Sequence, residues 1–512
     1  MNKLKQFFFS KRCIIGIVAI MQVTLFFMLT TSLYAMGSTA YLMLMVFSIL
    51  IMLYVFEKDN MNPSYKIIWI IVMAVFPVSG ALFYFLWGDT KVTRKQKKRF
   101  EQIADRLQRR VVSYGQQLDR IEIADRGLAK QARYLERNGW APVYENTAVR
   151  YYDMGAAMFR DMLADLRGAR DSIFLQYFII DQGYMWDSVL EILKEKAKNG
   201  VDVRIIYDGW GCLINLPEGY EKTLRRYGIK TYIFNDVKFS MHIGDYLMLN
   251  HRDHRKIMVI DSTIAYSGGI NIADEYINVV ERFGVWKDTG FRLEGDAVWS
   301  MSTTFLNTWE YVSRTAADYD SYRPKYSMEA DGIVQPYFDT PLDKINLCEN
   351  TYLNVINNAK KYVYIATPYL VIDNEMITAL TIAARSGIDV RIVVPGIPDK
   401  WYVHYVTQSY YRVLLEAGVK IYEYIPGFIH AKMYVSDDIQ AIVGGANTDY
   451  RSMYLNFENC CSFYGGGIVE EVKKDFEDTI SHSRQVTLKD VENTSFIKRL
   501  IQLFLRVWSP MF

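Results

Sequence analysis

No charged side chain occurs between Cys13 and Phe56, and this run of 44 residues is too long for one membrane helix. Crossing the hydrocarbon core takes about 20 residues, so the pattern predicts two spans, residues 13–35 and 39–56, broken near Met36-Gly37-Ser38. A third apolar run, residues 67–87, follows the polar stretch EKDNMNPSYK. It carries Pro77 and Gly80, which a membrane helix tolerates and which equally suit a kinked or re-entrant segment. The apolar region far exceeds the roughly 15 residues of a signal-peptide core and ends in no cleavage-like motif, so residues 1–90 read as a retained membrane anchor.

Charge then orients the anchor. The dense basic run KVTRKQKKR, Lys91 to Arg99, directly follows the third segment, and the positive-inside rule puts the region behind it on the cytoplasmic face of the cell membrane. The N-terminal MNKLKQFFFSKR is basic as well. Three complete spans cannot leave both ends on one side, so either the N-terminus lies outside or one segment dips in without crossing.

Behind the anchor the pattern becomes that of an α/β protein. Residues 91–140 read as a charged helical connector. IFLQYFII from Ile173, DSVLEILKEKAKNG and GVDVRIIYD from Gly200 then read as strand, helix and strand, and VYIATPYLV from Val363, MITALTIAARSG and GIDVRIVVP from Gly387 repeat the series. Each series continues into a helix ending in Gly228-Ile229-Lys230 or Gly418-Val419-Lys420. Landmarks recurring in one order mark an internal duplication, here two pseudo-symmetric α/β/α units, 141–325 and 326–490, forming one catalytic region. Residues 491–512 read as an amphipathic helix, with Ile497, Leu500, Ile501, Phe504 and Trp508 at helical spacing and Lys498, Arg499 and Arg506 elsewhere. Such a helix lies in a membrane interface or docks on the protein's own core.

Across 512 residues, 59 Lys and Arg nearly balance 57 Asp and Glu, so net charge supplies no drive toward nucleic acid. The five cysteines share no zinc-ligand spacing and form no readable disulfide framework. Of the six histidines, two open the same pattern: HRKIMVID from His254 and HAKMYVSD from His430.

In each copy His and Lys stand two apart at the start of an apolar run, so along a strand His254 points with Lys256, and His430 with Lys432. Asp261 and Asp437 have the opposite parity, which suits tying down the strand end rather than touching a substrate. Small-residue turns follow, Gly268-Gly269-Ile270-Asn271 and Gly444-Gly445-Ala446-Asn447, where backbone N–H groups and the Asn271 and Asn447 amides can meet an anion. Two lysines and two asparagines converging at one interface would hold a phosphate between two imidazoles. One imidazole then attacks phosphorus, while the other protonates the leaving alkoxide and later serves as base. With an unperturbed pKa of about 6.5, histidine can play both parts near neutrality. From position, Asp288 in WKDTGFRLEG is expected to orient His254, and Glu458 in LNFEN to orient His430. His251 and His254 could begin a metal site but have no third ligand nearby.

On these residues the chain resembles the phospholipase D superfamily, whose members carry the duplicated motif, use no metal or other cofactor and work through a phosphohistidine. Within it the chain is similar to bacterial cardiolipin synthases over nearly its full length. The match is carried by NPSYKIIWIIVMAVFPVSGALFYFLWG from Asn62, NHRDHRKIMVID from Asn250, GGINIADEY from Gly268, WKDTGFRLEGDAV from Trp286 and RSMYLNFE from Arg451. The resemblance implies catalytic roles for His254, Lys256, Asp261, His430, Lys432 and Asp437, with His254 as nucleophile, and supports Asp288 and Glu458 as the orienting acids. It implies transfer of a phosphatidyl group from one phosphatidylglycerol to the primary hydroxyl of another, giving cardiolipin and glycerol. The partners would be phosphatidylglycerol and membrane lipid, with no nucleic acid. The alternatives are a hydrolase of the same fold, either a phospholipase D or a nuclease, a transphosphatidylase with another head-group acceptor, and a non-catalytic membrane scaffold that kept the fold but would be expected to have lost a His or Lys of the motifs. A nuclease should surround its motifs with basic, aromatic-interleaved surface, and YIPGFIHAKMYV has little positive charge. Two departures stand out. The superfamily often has Ser or Thr where Gly269 and Gly445 stand, so a hydroxyl ligand for phosphate is missing, and residues 13–35 look like a span beyond the usual two.

Overall fold

The computed structural model describes residues 38–58, 61–88, 94–108, 115–237 and 250–511, with Thr24, Met28 and Thr31. Apart from those three residues, the expected span 13–35 and the basic N-terminal segment lie outside this description. The helix Ser38–Glu57 turns Leu42, Met43, Phe47 and Phe56 outward. Its side chains are described from Leu42 on, and among the described residues no helix is long and apolar enough to cross a membrane.

The third apolar run is not one rod. It forms two helices, Pro63–Val75 and Pro77–Trp87, that meet at Phe76. Pro77 has no N–H to donate to the preceding turn and keeps the residue before it out of the helical region, and Phe76 accordingly has φ −129° and ψ 75°. The second helix folds back so closely that a Cβ on Gly80 would lie 2.8 Å from the carbonyl oxygen of Val72. Arms of 13 and 11 residues are each well short of the roughly 20 a span requires. Asn62 fastens this hairpin to the second unit. Its Nδ2 donates to Asp373 Oδ2 (3.1 Å) and to the Tyr454 hydroxyl (2.8 Å), and Tyr450 donates to Ser64 Oγ (2.9 Å).

Two sheets of like topology follow. The first is ordered Thr147–Tyr152, Gly290–Gly295, Ile264–Gly268, Ile257–Ile260, Ser172–Tyr177, Asp202–Asp208, Lys230–Phe234. The second repeats that order as Ile333–Asp339, Asn456–Tyr464, Gln440–Gly444, Met433–Ser436, Tyr362–Ala366, Asp389–Pro395, Lys420–Tyr424, then adds Ser483–Gln485 at its edge. The strands behind the two His-x-Lys pairs, Ile257–Ile260 and Met433–Ser436, are buried throughout, as their continuous apolar runs require. The units share one core, in which Phe291 meets Phe463 edge to face with ring centroids 5.5 Å apart.

Two short parallel ladders stitch the units together. Arg252–Asp253 pairs with Asn456 and Phe457, and Gly427–Ile429 pairs with Val285–Lys287. Each ladder runs one residue further: the His254 N–H donates to the Phe457 carbonyl (2.9 Å) and the His430 N–H to the Lys287 carbonyl (2.7 Å). The segment entering each histidine is therefore held by the opposite unit.

The C-terminal helix Phe496–Trp508 docks with its polar side inward. Gln502 is buried, Lys498 lies over the Tyr405 ring and Arg506 over the Tyr410 ring, while Phe496, Ile497, Leu500, Leu503 and Phe504 are exposed. The helix is thus docked through its polar face, and its apolar face is left exposed.

Candidate active site

Each His-x-Lys pair sits where the chain passes from an inter-unit ladder into a central strand. The strand ends are locked by the aspartates of the motif. Asp261 and Asp437 adopt left-handed backbone (φ 50° and 56°), which Asp tolerates better than most residues. Asp261 accepts from the backbone N–H groups of Arg170, Asp171 and Ser172, and Asp437 from those of Lys360, Lys361 and Tyr362, all within 3.0 Å. Neither lines the cavity that holds the histidines. Their carboxylates are taken up by these backbone N–H groups, the strand-end arrangement that their parity indicates.

His254 and His430 line one cavity of about 1120 Å³. His254 Nδ1–H donates to Glu458 Oε1 at 2.8 Å, and His430 Nδ1–H donates to Asp288 Oδ2 at 2.6 Å. This corrects the expectation from position, which paired each histidine within its own unit or nearest stretch. The reason is the exchange of ladders: Phe457 holds the His254 backbone and immediately precedes Glu458, while Lys287 holds the His430 backbone and immediately precedes Asp288. Both carboxylates therefore act across the unit boundary. With Nδ1 so engaged, Nε2 of each ring is the atom left for chemistry.

The lysines close in behind the rings. Lys256 Nζ donates to the carbonyl oxygen of His254, and Lys432 Nζ donates to that of His430 and lies 2.8 Å from His430 Nδ1. Burial lowers Lys256 to about 7 and Lys432 to about 8, despite nearby Glu458 and Asp288. It raises the Asp288 carboxyl to about 7, against the pull of Lys432. Burial would raise Glu458 too, but the adjacent His254 and Lys256 hold it below the usual carboxylate range. Both imidazoles are lowered by burial, His430 further because Lys432 and Lys256 repel its charged form. A bound phosphodiester anion acts in the opposite direction on every one of these cations.

Asn271 and Asn447 both line the cavity. Asn271 accepts from the Ile179 N–H (3.1 Å) and donates to the Tyr276 hydroxyl (2.7 Å), and Asn447 donates to Asp449 Oδ2 (3.0 Å). Each amide carries two hydrogens, so these bonds leave one N–H of each uncommitted. The glycines that depart from the superfamily pattern have a steric reason: a Cβ on Gly269 would lie 2.1 Å from Asp288 Oδ1, and one on Gly445 3.3 Å from Glu458 Oε2. That position faces the orienting carboxylates. His251, the other member of the suspected metal pair, gives its Nδ1 to the Leu455 carbonyl (3.1 Å).

Two features escaped sequence reasoning. Asp208 is buried, takes the N–H groups of Trp210, Gly211 and Asp253, and pairs with Arg252 (3.3 Å), so it anchors the segment entering His254. Its place at the end of GVDVRIIYD was the available signal. The rings of Tyr276, Trp286 and Phe428 surround His430 with centroids 5.5–5.7 Å away, and Phe178 meets His254 at 5.0 Å.

These groups set the pH dependence. As pH rises through about 7, Lys256 loses the charge a phosphate needs, with Lys432 following near 8; as pH falls through about 7, Asp288 gains a proton and ceases to be an ionised acceptor. We expect kcat/KM, which reports the free protein, to fall about tenfold per unit as Lys256 discharges above about 7 and more steeply once Lys432 follows near 8, and to fall on the acid side as Asp288 is protonated. A flat alkaline limb up to pH 9 would remove the lysines from the rate equation.

Relatives agree with the geometry. The description "Cardiolipin synthase, PLD-like domain" matches residues 162–285 and 352–480, and "Phospholipase_D-nuclease N-terminal" matches residues 42–88. A cardiolipin synthase of Alkalihalophilus pseudofirmus is 35% identical over 461 residues, covering 88% of this chain and 90% of that one. The chain belongs to the cardiolipin synthase family. Another relative, an uncharacterized protein of Streptococcus mutans, is 41% identical over 464 residues, covering 89% of this chain and 98% of that one. Among solved structures, the phosphatidylserine synthase of Haemophilus influenzae Rd KW20 has the same fold, with a TM-score of 0.56 at 16% identity over 75% of this chain and 98% of that one. In this chain the duplicated sheets and the paired histidines belong together, because each unit supplies one imidazole and the acid that orients the other.

Proposed function

We propose that the chain is a phosphatidyltransferase that makes cardiolipin and glycerol from two molecules of phosphatidylglycerol. The observation that carries this reading is a single cavity holding two imidazoles, each with its Nδ1 on a carboxylate of the opposite unit and a buried lysine alongside. His254 Nε2 attacks phosphorus and the bond to the departing glycerol oxygen breaks, its alkoxide taking a proton from His430. The primary hydroxyl of the second phosphatidylglycerol then yields its proton to His430 and attacks the phosphohistidine, freeing His254. Lys256 and Lys432, with Asn271 and Asn447, hold the equatorial oxygens as charge builds. Trp69, Val72 and Phe83 of the N-terminal hairpin line the same cavity, so acyl chains can remain near the membrane segments while the phosphate reaches the histidines.

The test is incubation of the purified protein with phosphatidylglycerol alone and mass analysis of the products. Cardiolipin with equimolar glycerol is expected. Phosphatidic acid in its place would make the chain a hydrolase.

For the anchor, we read residues 13–35 and 39–56 as spans and the hairpin 63–87 as a segment that enters and returns. Both basic segments then lie in the cytoplasm, and the parity conflict disappears. Cys212, Cys348, Cys460 and Cys461 are buried, so a Cys13→Ser background permits thiol mapping. Cysteines at Lys3 and at exposed Lys130 should both resist an impermeant maleimide in intact cells and react after lysis. Labelling of the Lys3 site alone in intact cells would mean three crossings.

A further inference from the structure

The C-terminal helix Phe496–Trp508 leaves its apolar face open: Phe496, Ile497, Leu503 and Phe504 are 74%, 70%, 62% and 64% exposed. Beneath its inner face lies a second cavity of about 410 Å³, none of whose lining residues lines the histidine cavity. Five cations border it, Arg412, Arg484, Lys498, Arg499 and Arg506, against two carboxylates, Glu423 and Asp490. Both carboxylates are engaged by Arg484, at 2.6 and 3.3 Å. Arg499 reaches the backbone carbonyls of Val491 and Glu492, Arg506 that of Ser409, and Lys498 lies over the Tyr405 ring, so these three cations are held by uncharged groups. Arg412 meets Glu416 at 3.5 Å, with both side chains more than half exposed, an arrangement that solvent largely screens. The cavity therefore carries a surplus of positive charge next to a row of unpartnered apolar side chains.

We propose that this second cavity binds the phosphate headgroup of an anionic phospholipid in the leaflet that receives the apolar face of the helix. An interfacial helix sinks its apolar face about 5–10 Å into the boundary between headgroups and acyl chains, which brings its flanking cations to the depth of the lipid phosphates. Arginine and lysine there make charge-assisted hydrogen bonds to phosphate oxygens. An apolar face alone would seat the helix on any bilayer; the basic cavity behind it selects a negative headgroup. The same segment ends in Trp508, Ser509 and Met511, which form part of the wall of the histidine cavity, so a lipid held here braces that wall.

The experiment uses the full chain carrying His254→Ala, which lacks the nucleophile and so cannot turn substrate over, solubilised in a neutral detergent. Retained lipids are counted by native mass spectrometry after addition of dioleoylphosphatidylglycerol or dioleoylphosphatidylcholine. Adding Arg412→Gln with Arg499→Gln should lower occupancy of one phosphatidylglycerol by about tenfold or more and leave the active-site lipid in place. Phe504→Lys, at a position with little to lose in folding, should weaken the same lipid. Unchanged retention in the arginine variant, or equal retention of phosphatidylcholine, would overturn the proposal. Complete displacement by millimolar inorganic phosphate would make free phosphate the ligand and overturn the lipid assignment. Failure of cardiolipin synthesis in the wild-type protein would leave this count untouched, so the two readings fail separately.

Discussion

His430→Ala is expected to give a burst of p-nitrophenol from a p-nitrophenyl phosphatidyl ester, and His254→Ala none. A p-nitrophenolate leaves with little need of a proton, so loss of the general acid scarcely slows the first step on this substrate. The second step still lacks its base, and the phosphatidyl group should accumulate on His254 at one equivalent per site. On phosphatidylglycerol, whose glycerol alkoxide must be protonated as it departs, the same variant should lose about 10²–10⁴-fold in turnover. His254→Ala should be inert on both substrates because no nucleophile stands in its place. The electrostatics alone do not separate the roles, since burial lowers both imidazoles and a bound phosphodiester acts to raise both. A burst from His254→Ala with none from His430→Ala would exchange the assignments.

The duplication could be read directly, because strand, helix and strand recur in the same order around IFLQYFII and VYIATPYLV and the two sheets repeat that order strand for strand. Period-two parity also sufficed to separate His254 and Lys256 from Asp261, since that rule depends on the strand alone. The pairing of imidazoles with carboxylates could not be read this way. It depends on two ladders of two or three residues, Arg252–Asp253 with Asn456 and Phe457 and Gly427–Ile429 with Val285–Lys287, and segments that short carry no pattern of their own. The C-terminal helix shows the same limit. Its apolar periodicity was plain, but which face turns inward was decided by the rings of Tyr405 and Tyr410, nearly a hundred residues away, which receive Lys498 and Arg506. In the anchor, Pro77 and Gly80 marked a bend, and the close approach of Gly80 to Val72 made it a fold-back.

Crossed pairing predicts that Glu458 variants behave as His254 variants do, and Asp288 variants as His430 variants do. Asp288→Asn should keep the burst on the p-nitrophenyl ester and slow the second step, because it disturbs the imidazole that serves as acid and base. Glu458→Gln should slow the burst itself, because the attacking imidazole loses the carboxylate that fixes its tautomer and steadies its charge. Each should lose about 10²–10⁴-fold on phosphatidylglycerol. Double variants test the pairing directly, since residues acting as one unit are non-additive and residues acting in different steps are not. Asp288→Asn added to His430→Ala should change the burst rate little, as the ring that Asp288 holds at 2.6 Å is already gone. Glu458→Gln added to His430→Ala should cut that rate as deeply as it does alone, because Glu458 holds the other ring, at 2.8 Å. If Glu458→Gln were silent in the His430→Ala background and Asp288→Asn were not, each histidine would be working with the opposite carboxylate, and the exchange of ladders between the units would have no part in catalysis.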